Sequence, residues 1–200
     1  MLIGDSREDM MMENIINKAI DYITELFKGN ADGHDLSHTM RVYRMAVRLA
    51  DSYPEADILV VRLAALLHDA DDHKLFNTEN NANARAFLIK QELDEEIIDQ
   101  ICEVINSVSF SKNKGRKPDT LEGFIVQDAD RLDALGAIGI ARTFSYGGKH
   151  GRTIEDSSKH FYEKLLLLKD QMNTPEALKI AEERHLFIES YIEELNNEMQ

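Results

Sequence analysis

The run Ile58-Leu59-Val60-Val61-Arg62-Leu63-Ala64-Ala65-Leu66-Leu67 constrains this chain more than any other segment. It reads as a helix that is apolar nearly all round, so it must be the most buried element of the fold. The apolar character stops at His68-Asp69, and Asp71, Asp72, His73 and Lys74 follow. A buried helix therefore delivers an imidazole and a carboxylate at its C-terminal end, beside further polar groups. Neighbours on a continuous helix diverge by about 100°, but at a fraying helix end both side chains can reach one point.

The remaining chain reads as more helices of the same kind. Ile15, Ile16, Ala19, Ile20, Ile23 and Phe27 recur at helical spacing, and Gly29 closes that helix. A second helix begins near Asp35 and carries Leu36, Tyr43, Val47 and Ala50 on one side. Pro54 suits the opening turn of the third. Asn80 to Gln91 is a weaker helix, and Asp94 is expected to cap the next, which carries Ile97, Ile98, Ile101 and Ile105. Asp119 and Glu122 resemble a capping box ahead of Phe124, Ile125 and Val126, and Asp128 to Asp133 lies on or near that helix. Ser111 to Pro118 and Tyr146 to Thr153 read as basic loops, the second rich in glycine. Two final helices are expected at 156–171 and 175–197, the latter with Thr174 as cap and Pro175 at its first position.

Only three prolines and ten glycines occur in 200 residues, which disfavours a turn-rich β fold. The expectation is all-α: a frayed or disordered terminus over 1–9, then one compact helical bundle over 10–200. The net charge of −14, from 23 basic and 37 acidic residues, argues against binding a nucleic-acid polymer, which requires phosphate neutralisation. Small anions remain open, because local charge and a bound metal set the field in a site. The single cysteine, Cys102, permits no intramolecular disulfide and sits among apolar neighbours. Met1 to Met12 holds acids and no apolar run, and no stretch approaches the ~20 apolar residues of a membrane span. No membrane association and a reducing, cytoplasmic setting are expected.

His38, His68, Asp69 and Asp130 are the leading chemical constellation. Imidazole and carboxylate together suit a divalent cation such as Mn, Fe, Ni, Zn or Mg. Spacing alone does not decide the matter, since an isolated His-Asp pair is more often structural or solvent-exposed than a ligand.

Three segments carry a further signal: Gly33-His34-Asp35-Leu36-Ser37-His38-Thr39-Met40-Arg41-Val42, then Ala64-Ala65-Leu66-Leu67-His68-Asp69, then Val126-Gln127-Asp128-Ala129-Asp130-Arg131-Leu132-Asp133-Ala134-Leu135-Gly136. Together they resemble the HD-domain phosphohydrolase superfamily, with a His, a His-Asp at the end of a buried helix, and a distant Asp. Ser109-Phe110-Ser111, the stretch Gly139 to Gly148 and Phe161-Tyr162-Glu163-Lys164-Leu165-Leu166 are similar to a bacterial subgroup of single-domain HD proteins. The resemblance spans about residues 14 to 195 and is far more specific for fold and metal site than for substrate.

That resemblance implies an HD-type helical bundle in which His38, His68, Asp69 and Asp130 hold one divalent metal. Relatives with two metals use further histidines before the last Asp; here only His73 lies in that interval. Cyclic-dinucleotide phosphodiesterases of the HD-GYP type carry Gly-Tyr-Pro, where this chain has Tyr146-Gly147-Gly148. The implied activity is attack of a metal-activated water on phosphorus in a nucleotide or other small phosphate ester or anhydride, by a phosphohydrolase or pyrophosphohydrolase. Asp72 and Lys74 are the candidate catalytic groups, for proton handling and charge stabilisation. His34, Arg41, Arg142 and Lys149 are candidate substrate contacts, although His34 could equally cap a helix and Arg41 could pair with an acid. Asp128 and Asp133 could orient a ligand or form salt bridges. The basic residues Lys112, Lys114, Arg116 and Lys117 could guide a polyphosphate or simply be solvated. The alternative reading is a metal-bound nucleotide-sensing module with little turnover. A homodimer is compatible with either.

Overall fold

The computed structural model describes residues 5–29, 35–73, 75–109, 113 and 116–200, and these form helices and connecting turns with no strand among them. The all-α expectation is met. The chain forms two compact units, residues 1–126 and 127–200.

The first unit holds α1 (Asp5–Leu26), α2 (Leu36–Ala50), α3 (Ile58–Leu67), α4 (Ala82–Lys90) and α5 (Glu95–Val108), with the start of α6 (Leu121–Asp133). Residues 5–9 belong to α1, inside the stretch read as frayed. The apolar α3 packs against α1, α2 and α5. Leu63, Leu66 and Leu67 are fully buried, as are Ile16, Ile23, Ile98 and Ile101 around them. Burying such side chains contributes about 1.5–3 kcal/mol each, which is why α3 sits at the centre. Its one charge, Arg62, reaches out sideways. Nε and Nη2 donate to the Tyr43 hydroxyl at 2.9 and 2.7 Å, and Nη1 meets Glu13 Oε1 at 2.5 Å. One guanidinium thus joins three helices.

Helix starts follow capping chemistry more closely than proline position. Asp35 caps α2, its carboxylate accepting from the His38 N–H at 2.8 Å. Pro54 lies in a turn and does not open α3. Asp57 does, with Oδ1 accepting from Leu59 N and Val60 N at 2.9 and 3.1 Å. A carboxylate that satisfies two orphan N–H groups outweighs a preset φ several residues earlier. The expected box at Asp119 and Glu122 also resolves differently. The Thr120 hydroxyl accepts from Gly123 N at 3.1 Å, while Glu122 accepts from the Asp57 N–H at 2.9 Å. Asp94 stands at the N-cap of α5 but its side chain makes no capping bond. Cys102 is buried, and burial pushes its thiol above the usual range.

The second unit holds the remainder of α6, then α7 (Gly136–Lys149), α8 (Ile154–Glu163), two short 3-10 turns (Leu165–Leu167, Lys169–Gln171) and α9 (Pro175–Glu198). Residues 146–149, read as part of a glycine-rich loop, are helical. Gly147 lies within α7, at a position where a Cβ would stand 2.0 Å from Ser157 Oγ. The helix expected over 156–171 starts at Ile154, stops at Glu163 and gives way to the 3-10 turns. Thr174 caps α9 with Pro175 in its first turn, as expected. Phe144, Phe161 and Tyr191 cluster with ring centroids 5.7–6.2 Å apart and knit α7, α8 and α9 together.

Candidate metal centre

The end of α3 and the first turn of α2 bring three of the sequence-selected residues together. His38 is buried in α2, His68 follows the last residue of α3, and Asp69 comes next. Asp69 Oδ2 lies 3.5 Å from His38 Nε2 and 3.3 Å from His68 Nε2. The imidazole rings stand 5.4 Å apart at 72°. His68 Nδ1 lies 2.9 Å from the Ala65 carbonyl oxygen. A carbonyl oxygen only accepts, so Nδ1 carries a proton, and this orientation turns the Nε2 edge of His68 toward the Asp69 carboxylate. One carboxylate and two imidazoles form the kind of donor set that borderline divalent cations take.

The turn after Asp69 is tied down. The Ala70 and Asp72 N–H groups donate to Leu67 O and Asp69 O at 2.9 and 3.1 Å. Asp71 reaches the start of α4, where its two carboxylate oxygens accept from Asn83 N at 2.9 Å and Ala84 N at 3.0 Å. The Asn83 side chain donates to the Ala70 carbonyl at 2.8 Å. Asp72 is half-buried in this turn and His73 is exposed. Asp71 and Asn83 were not singled out from sequence. The polar run Asn80-Asn81-Ala82-Asn83 carried the signal, since asparagine both caps helices and tolerates the left-handed region. Asn80 and Asn81 each adopt φ of 56°.

A model of the HD domain matches residues 35–135. The chain belongs to the HD-domain family. Bacillus subtilis YpgQ is 35% identical over 187 residues, covering 89% of this chain and 90% of YpgQ. The crystal structure of YpgQ in complex with ADP superposes with a TM-score of 0.78 at 32% identity, covering 94% of this chain and 96% of YpgQ. An HD-superfamily hydrolase from Bacillus thuringiensis gives a TM-score of 0.78 at 39% identity, over 94% of this chain and 98% of that one. HD domains bind divalent metals, and the chain falls among metal-dependent phosphohydrolases in general.

Asp130 of this HD domain lies in the second unit, on α6, and is half-buried. The acids on either side of it have other duties. Asp128 is buried and accepts from Asn173 N at 2.9 Å, Asn173 Nδ2 at 2.9 Å, and Thr174 N and Oγ1 at 2.8 Å each. It fastens α6 to the start of α9. Burial pushes its carboxyl above the usual range, against the lowering effect of those donors. Arg131 beside it donates to the Gln171 carbonyl. Asp133 pairs with Arg142, Oδ2 to Nη1 at 2.5 Å. Of the two readings open for Asp128 and Asp133, hydrogen-bonded and ion-paired structure is therefore what both display.

Arg41 is half-buried on α2, one turn after His38, and Lys149 is exposed in the last turn of α7. His34, Lys74, Lys112 and Lys114 lie outside the described residues. Exposed His150 stacks on Tyr146 at 3.9 Å, and half-buried His185 faces Glu189 one turn on at 3.4 Å. Among the described residues no helix is long and apolar enough to cross a membrane.

Proposed function

We propose that this chain hydrolyses a nucleotide or another small phosphate ester or anhydride, with one divalent cation held by His38, His68, Asp69 and Asp130. The convergence of His38 and His68 on the Asp69 carboxylate carries the reading. That Asp130 lies inside the matched HD segment supports it as the fourth ligand. The nucleotide preference is supported by YpgQ, a relative over nearly the whole chain, having been crystallised with ADP.

A bound divalent cation would supply Lewis acidity toward a phosphoryl oxygen and lower the pKa of water in its shell. The chain's own residues supply the rest. His68 is held in one tautomer by the Ala65 carbonyl, so its ring does not have to reorganise on binding. Asp72 manages the proton; its place in the turn that starts at the Asp69 carbonyl supports this. Lys74, Arg41, Arg142, Lys149 and His34 contact the phosphates or the leaving group, and the cations among them offset developing negative charge.

A metal-by-substrate screen over ribo- and deoxynucleoside mono-, di- and triphosphates, with product identification, tests the reading. The expected outcome is release of orthophosphate or pyrophosphate with at least one cation, abolished in Asp69→Ala. Full metal content and full activity in Asp69→Ala would overturn it.

A further inference from the structure

We infer that Asp71 and Asn83 form a positioning clamp that sets the geometry, and hence the metal affinity, of the adjacent His68-Asp69 pair. The inference rests on the metal site proposed above and extends it to residues that touch no ligand atom.

The physical problem lies at the end of α3. His68 and Asp69 stand where the helix ladder gives out, and a chain end of this kind frays unless something holds it. Here the following two residues are held from both sides. The Ala70 carbonyl accepts from Asn83 Nδ2 at 2.8 Å, and Asp71 accepts from the N–H groups of Asn83 and Ala84 at 2.9 and 3.0 Å. A carboxylate on two first-turn N–H groups is a charge-assisted cap that also complements the helix dipole. Side chain and backbone of one residue, Asn83, thus grip two consecutive residues of the site turn.

The gripping helix is itself fixed. The Tyr22 hydroxyl on α1 donates to the Asn83 carbonyl at 3.1 Å, and its ring stacks on Phe87 at 4.9 Å. Burial, and secondarily the Asp71 charge, raises the Tyr22 hydroxyl above its usual range, which keeps it a donor. Asn81, in the left-handed region, donates to the Cys102 carbonyl on α5 at 3.4 Å. The clamp therefore ties the turn to α1 and α5 through α4. A carboxylate at Asp71 would otherwise be an added negative charge beside the Asp69 carboxylate, so its capping role gives it a purpose that ligation does not.

The test measures Mn²⁺ affinity of the intact chain by competition with a fluorescent chelator, alongside circular dichroism and thermal unfolding of the metal-free protein. Asp71→Ala is expected to weaken Mn²⁺ binding about tenfold or more, as loss of an outer support typically does, with helical content retained. Asp71→Asn, which keeps one acceptor oxygen, should fall between. Asn83→Ala removes only the bond to Ala70 and serves if Asp71→Ala fails to fold; it too should weaken binding. Arg85→Ala, which alters the same helix α4 but breaks surface ion pairs to Glu95 and Asp99 on α5, should leave affinity within twofold. Wild-type affinity in Asp71→Ala or, where that variant fails to fold, in Asn83→Ala, or an equal loss in Arg85→Ala, would overturn the clamp. Failure of the wild type to bind Mn²⁺, Fe²⁺, Ni²⁺, Zn²⁺ or Mg²⁺ would overturn the metal reading itself and the clamp with it.

Discussion

His68 Nε2 lies 3.3 Å from Asp69 Oδ2, while the opposite ring nitrogen of His68 faces the Ala65 carbonyl at 2.9 Å. Two side chains adjacent in sequence thus meet at one point, because the helix ends between Leu67 and His68. The expected consequence is metal-linked stability. A cation at 100 times its dissociation constant should stabilise the folded chain by about 2.7 kcal/mol, seen as a rise in melting temperature with Mn²⁺ that EDTA reverses. Asp69→Asn, nearly isosteric but uncharged, should abolish the rise.

Arg142 and Asp133 should behave as a unit. Asp133 is almost fully buried, so truncating its partner leaves a carboxylate without that ion pair. Arg142→Ala should cost about 1–3 kcal/mol in urea unfolding. A double-mutant cycle with Asp133→Ala should show coupling of roughly 1 kcal/mol or more. If Arg142 also contacts substrate, Arg142→Lys will raise KM at a stability loss smaller than that of Arg142→Ala. An unchanged KM in both variants would confine Arg142 to the ion pair.

Asp128 should impose a pH dependence of definite sign. Burial raises its folded-state pKa, so between the ordinary carboxylate value and the raised one the folded chain binds more protons than the unfolded chain. Stability contributed by this group is then present at low pH and declines as pH rises through that window. Subtracting the stability of Asp128→Asn from that of the wild type, across acidic pH, isolates the term. The difference should shrink with rising pH and then level off.

Two neighbouring glycines should respond oppositely to alanine. At Gly147 a Cβ would stand 2.0 Å from Ser157 Oγ and 3.0 Å from Ser157 Cβ, whereas at Gly148 nothing lies within 4 Å. Gly147→Ala should destabilise by about 1–3 kcal/mol through overpacking. Gly148→Ala, exposed and helical, should stabilise by up to about 1 kcal/mol. Chemical denaturation of the two variants checks both signs.

Local chemistry was readable wherever a residue acts on its own neighbours in the chain. The apolar period of α3 dictates its burial, and Asp35 and Thr174 satisfy N–H groups three residues on. His68-Asp69 is conspicuous because an apolar run ends there. Glu122 misled because its partner Asp57 is remote in sequence and meets it only when α3 and α6 are folded. Pro54 misled locally, since the Asp57 carboxylate three residues on caps α3 instead.

Sequence by itself determined the all-helical class, the central place of α3, and the residue types able to hold a metal, because periodicity and side-chain chemistry are properties of the chain. Tertiary structure alone decided what those side chains face. It set His38 and Asp69 3.5 Å apart across 31 positions, committed Asp128 to the cap of α9 and Asp133 to Arg142, and joined Asp71 to α4. Such pairings depend on which surfaces are buried together, and a carboxylate's partner is chosen by whichever donor that burial brings within reach.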